Sequence, residues 1–186
     1  LGGLHGSAMH AVRAWRQNHT PHPYIAVVIA GVVLAALIFC FNLQAFEGSG
    51  ANLLGQALGG SIGSYDFAIK AALMFITLSF GFKGGEVMPT LVVGGLLGCS
   101  LGQVIGMSPA FLTAVGAIAF YVGFSRCPLA GFFLGVEVFG WSAGAFMAIA
   151  VAIAWVAGRD IGFYGHGLHQ HARQLLAARK QAQQAA

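Results

Sequence analysis

Between two apolar segments, the twelve residues Ser79-Phe80-Gly81-Phe82-Lys83-Gly84-Gly85-Glu86-Val87-Met88-Pro89-Thr90 hold three glycines, a lysine, a glutamate and a proline. On either side, Ala68 to Phe82 and Leu91 to Ile105 are strongly apolar and largely compatible with helix. A charged, glycine-rich break of this kind marks a discontinuous membrane helix that lines a polar site. The same residues would also serve as an ordinary loop at a membrane surface. The surrounding chain bears on the choice. Only 8% of the 186 residues are charged, 58% are hydrophobic, and the mean hydropathy is +0.78. A soluble domain carries about 25% charged residues, so this chain cannot clothe a water-facing surface. It reads as an integral membrane protein.

Taken in order, Leu1 to Arg16 reads as the end of a helix with Leu4, Ala8, Val12 and Trp15 on one face. Arg13 and Arg16 lead into the breaker run Asn18-His19-Thr20-Pro21-His22-Pro23, and two arginines in a short connection predict a cytoplasmic loop. The start at Leu1, with no signal-peptide pattern, reads as a piece of a longer membrane protein. Tyr24 to Phe41 is uncharged and just long enough to span about 30 Å of hydrocarbon. Ala51 to Leu58 predicts a helix too short to span, and Gly59 to Ser64 a flexible connector. Asp66 is the expected N-cap of the next helix, with Lys70 snorkelling to the interface.

After the break, Gly94, Gly98, Gly102 and Gly106 recur every fourth residue and stack on one helical face, where another backbone can approach closely. Pro109 suits the first turn of a segment running to Phe124, and Ser125-Arg126-Cys127-Pro128 interrupts it. Leu129 to Phe139 and Ser142 to Ala157 follow, then the break Gly158-Arg159-Asp160-Ile161-Gly162 and an amphipathic closing helix. Residues 181–186 read as a frayed tail. Straight spans need about 20 residues each, so these shorter segments imply tilted and half-membrane helices.

Among the polar residues, Glu86 is the most informative. A carboxylate at membrane depth costs about 2.5–3.5 kcal/mol on the mildest insertion scale, so it is normally paired or functional. If a helix begins there, the amides of Glu86, Val87 and Met88 point out of its N-terminus, and Gly84-Gly85 leaves the approach open. That is the chemistry of an anion site, with Lys83 adding positive charge nearby. The alternative is a first-turn glutamate favoured by the helix dipole and paired with Lys83 at the surface.

Other candidates carry less. Tyr164 sits where an interfacial anchor is expected. His166, His169 and His171 do not share one helical face, so solvated helix surface is favoured over a metal site. Arg126 and Glu137 either pair or mark segment ends. Cys40, Cys99 and Cys127 are isolated and read as small buried hydrophobes. No nucleophile–base pair, cofactor motif or basic stripe interleaved with aromatics is present, so neither an enzyme nor a nucleic-acid partner is expected.

Gly81 to Pro89, centred on Gly84-Gly85-Glu86-Val87-Met88-Pro89, resembles the glycine-rich anion-site motif of the CLC chloride channel and transporter family. Gly48-Ser49-Gly50-Ala51-Asn52-Leu53 resembles its upstream glycine-rich stretch. Ser125-Arg126-Cys127-Pro128-Leu129-Ala130-Gly131, ending in Glu137, is similar to its R-x-P-L-x-G…E segment, and Arg159 to Tyr164 to the lead into its last helix. The match covers the C-terminal half of such a protein. It implies an all-α membrane fold, the second inverted repeat of a CLC-type architecture, as one domain over residues 1–186. The same resemblance implies transport of chloride or fluoride by a channel or an anion/proton antiporter, a homodimer, and a bacterial inner-membrane location with a cytoplasmic C-terminus.

By the same resemblance Glu86 and Val87 would hold the anion through their amides, flanked by Gly85 and Met88, and Tyr164 would add its hydroxyl. If Glu86 lines the pathway, its carboxyl would also carry protons against anions. An acid in the Gly-Gly-Glu-Val pattern looks closest to the fluoride/proton exchangers, which commonly carry threonine where Met88 stands. A chain of this length could instead be a non-transporting half that only packs against a first repeat.

Overall fold

A computed structural model of the chain describes residues 1–19, 23–82 and 84–158. Lys83, Arg159, Tyr164, the three late histidines and the tail therefore lie outside the described residues. The fold is all-α. Its helices are α1 (Gly2–His19), α2 (Pro23–Cys40), α3 (Ala51–Leu58), α4 (Asp66–Ser79), α5 (Val87–Ile105), α6 (Pro109–Ser125), α7 (Pro128–Phe139) and α8 (Gly144–Ala157). Single 3₁₀ turns lie at Gln44–Phe46 and Trp141–Ala143.

The middle of the molecule is α5. Among the described residues it is the one helix long and apolar enough to cross a membrane. Leu91, Val92, Leu96 and Cys99 are fully buried along it. Its closest neighbour is α6, and the glycine repeat explains why. A Cβ on Gly94 would lie 2.6 Å from the carbonyl oxygen of Gly116, and one on Gly116 would lie 2.8 Å from the Cα of Gly98. A Cβ on Gly98 would overlap the Leu112 carbonyl. Backbone thus runs against backbone where side chains would hold two helices apart. Gly106 departs from the expected stack. It is the C-cap of α5 at φ +77°, with open space around it, so it ends the helix and packs nothing.

The outer helices invert the pattern of a water-soluble protein. On α2, Ala26 and Ala30 face inward, while Ile25, Val28, Ile29 and Val32 stand 56–65% exposed. A continuous apolar face of this kind is suited to lipid.

Several polar residues sit elsewhere than expected. Lys70 does not snorkel: it is 3% exposed, and its ammonium donates to the carbonyls of Phe46 (2.7 Å) and Gly48 (2.9 Å). Arg13 and Arg16 belong to α1 and not to a loop, because the helix continues past them to His19. Tyr65, not Asp66, is the N-cap of α4; Asp66 is its first helical residue and accepts the Gly63 N–H at 2.8 Å. Cys99 is buried as expected, but Cys40 and Cys127 are exposed. Arg126 marks a segment end: at φ +64° it caps α6, and its Nη1 donates to the Trp155 carbonyl of α8 at 2.7 Å. Glu137 is exposed on α7.

Candidate functional site

The break between α4 and α5 is where chemistry-bearing groups converge. Glu86 is the N-cap of α5, and its side chain makes no capping bond. Its carbonyl accepts the Thr90 N–H at 3.2 Å and also the Thr90 hydroxyl, which is fully buried. The peptide at the mouth of the helix is held from inside. By helix geometry the amides of Val87 and Met88 have no acceptor within the helix, and Pro89 has no N–H to leave unsatisfied. A Cβ on Gly84 or Gly85 would meet nothing within 4 Å, so the approach to those amides is open.

That opening is part of a cavity of about 540 Å³ lined by Gly84, Gly85, Val87, Met88 and Pro89 on one side and by α2, α4 and the turn before α3 on the other. Its walls are mainly apolar, with Leu34, Ile38, Leu73 and Leu78 among them. Thr77 also lines it, but its hydroxyl is committed to the Leu73 carbonyl at 2.6 Å. A low-dielectric wall around unsatisfied amides strengthens their pull on an anion.

Glu86 does not line this cavity. Its carboxylate turns to α1, where the Arg13 guanidinium lies 3.6 Å away, both side chains being mostly buried (28% and 21% exposed). Arg13 also donates through Nε to the Leu78 carbonyl near the end of α4, at 2.7 Å. Arg16, one turn on, covers Gly81: a Cβ there would lie 3.1 Å from its Nη2, and Gly81 has φ +98°. The two arginines thus bracket the break from a helix some 70 residues away. Sequence reasoning missed both. The available signal was their i, i+3 spacing, which puts them on one face if the helix continues.

Of the residues expected at the site, the fold brings Gly85, Val87 and Met88 to one cavity wall and places Glu86 at the helix mouth facing Arg13. Met88 presents a thioether, which cannot donate a hydrogen bond. Tyr164 and Lys83 lie outside the described residues. Among the described residues no cluster of His, Cys, Asp and Glu is placed to hold a metal ion.

The family model described as "Voltage gated chloride channel" matches residues 1–159. The chain belongs to the CLC family. Among CLC relatives, the chloride/fluoride channel protein of Pseudomonas syringae pv. tomato is 24% identical over 179 residues, covering 90% of this chain and 40% of that protein. The crystal structure of a CLC-type fluoride/proton antiporter superposes with a TM-score of 0.82 at 27% identity, over 88% of this chain and 42% of that one. The chain thus has the CLC fold and spans about 40% of the length of these relatives.

Proposed function

We propose that residues 1–186 form one membrane domain, the second inverted repeat of a CLC-type protein that moves a small inorganic anion, chloride or fluoride, across a bilayer. The anion is held at the N-terminus of α5 by the amides of Glu86 and Val87, with Gly85 and Met88 beside it and the Tyr164 hydroxyl completing the site. A first repeat supplies the rest of the pathway. Glu86, whose carboxylate turns beside the cavity toward Arg13, is the candidate that exchanges protons against the anion. The working protein is a homodimer in a bacterial inner membrane, and the basic residues Arg159, Arg173, Arg179 and Lys180 favour a cytoplasmic C-terminus.

One observation carries this reading: the cavity opens onto the end of α5, where the amides of Val87 and Met88 have no acceptor within the helix and the dipole is positive. The relatives' names, a chloride/fluoride channel and a fluoride/proton antiporter, support the anion class. The test is efflux of chloride and of fluoride from liposomes containing the full-length parent protein. Val87→Pro removes one donor at a position where proline is compatible with the first helical turn. It is expected to slow efflux by about tenfold or more, the loss of one hydrogen bond to a charged ligand. Unchanged flux would place the anion elsewhere.

A further inference from the structure

The buried ammonium of Lys70 is a charged group that the anion reading does not use. It sits on α4, 3% exposed, and it lines the cavity that reaches the N-terminus of α5. Among the described residues lining that cavity it is the only cation; Glu47, the only acid, is on the exposed rim. Two of its N–H groups are committed to the carbonyls of Phe46 and Gly48. These belong to the strap that runs from the end of the 3₁₀ turn to α3, which also brings Ser49 to the cavity wall.

The strap fits over Lys70 closely. Gly50, the N-cap of α3, has φ +78°, and a Cβ there would lie 3.0 Å from Cε and 3.1 Å from Nζ of Lys70. Gly48 also has a positive φ, of +64°. The chain therefore uses two glycines in left-handed conformations where the strap passes over one ammonium. A purely structural tie needs no charge, since a neutral donor would satisfy the same carbonyls. A cation facing an apolar cavity also adds a field that favours an anion there, and low-dielectric walls carry that field far.

We propose that Lys70 is a positioning residue for the transported anion: it holds the Phe46–Gly50 strap against the cavity and presents positive charge to an anion at the end of α5. The inference rests on the anion-transport reading above. Its test uses the full-length protein, with sodium fluoride and sodium chloride as probes, measuring affinity by calorimetry in detergent and efflux from liposomes. Lys70→Met removes charge and donors at similar length. It is expected to raise Kd by about tenfold or more for whichever anion the unmodified protein binds. Lys70→Arg, which keeps the charge, is expected to stay within about threefold. Binding by Lys70→Met that matches the unmodified protein overturns the proposal, as does failure of Lys70→Arg to rescue.

Should Lys70→Met not fold, Gly50→Ala decides, because it crowds the strap off the ammonium without touching the charge. Weakened affinity supports the proposal and unchanged affinity overturns it. An unmodified protein that moves neither anion would sink the transport reading and this inference together. Flux in the unmodified protein with a silent Lys70→Met sinks this inference alone.

Discussion

Glu86 faces two demands at once. Its backbone opens a helix toward a cavity, and its carboxylate leans 3.6 Å from the Arg13 guanidinium of α1. If Glu86 is the proton carrier, Glu86→Gln should keep anion efflux, because the backbone amides remain, and lose the accompanying proton flux. A pH-sensitive dye inside liposomes measures both; proton coupling equal to that of the unmodified protein would exclude this carboxyl. The helix start behind the glycines could be read from the sequence, since glycines before a proline-containing first turn are a local pattern. The partner of Glu86 could not. The obvious neighbour was Lys83, three residues away, and long-range pairs such as Arg13 with Glu86 leave no local trace. Lys70 was misplaced for a related reason: a lysine one turn into an apolar helix has the same sequence signature whether its ammonium reaches water or two distant carbonyls.

At the level of elements, the pairing of α5 with α6 sets where the site stands, because it fixes the long helix whose N-terminus opens the cavity. Helix propensity alone says that alanine should replace glycine to advantage anywhere in a helix interior, by about 0.5–1 kcal/mol. Packing predicts opposite signs at two positions. Gly98→Ala would drive a methyl into the Leu112 carbonyl and force α5 from α6, costing about 1–3 kcal/mol, whereas Gly55→Ala in α3 points into open space and should be neutral or stabilising. Thermal melts of both variants in the same detergent measure this, and a Gly98→Ala protein as stable as Gly55→Ala would refute the close-approach role. The helices themselves were largely legible. Pro109 and Pro128 stand in first turns as their chemistry requires, and α3 has the expected bounds. A four-residue repeat does not give its glycines one role: Gly106 keeps the spacing but falls at the helix end, where its positive φ decides its role. Likewise the breakers near Asn18 and His19 did not stop α1 before His19, so its arginines stayed helical.

At the scale of the molecule, much of the described chain arranges polarity inside out. Charged Lys70, Arg13 and Glu86 are wholly or mostly buried, while the apolar side chains of α2 face outward. In water this arrangement would expose a broad apolar surface with nothing to cover it; in a bilayer the lipid covers it and the interior polar groups find one another. The two media make opposite predictions for one substitution. Ile29 is 57% exposed on the outer face of α2. A lysine there would be harmless or favourable on a water-facing surface, but inside hydrocarbon it costs about 2.5–3.5 kcal/mol near a helix centre. Ile29→Lys in the full-length protein is therefore expected to reduce the membrane-integrated fraction several-fold, by about the factor that such a cost implies after partial snorkelling. Alkaline extraction of isolated membranes measures that fraction. Integration equal to that of the unmodified protein would mean that this face of α2 meets water or a polar partner surface, and the outer boundary of the fold would have to be redrawn around it.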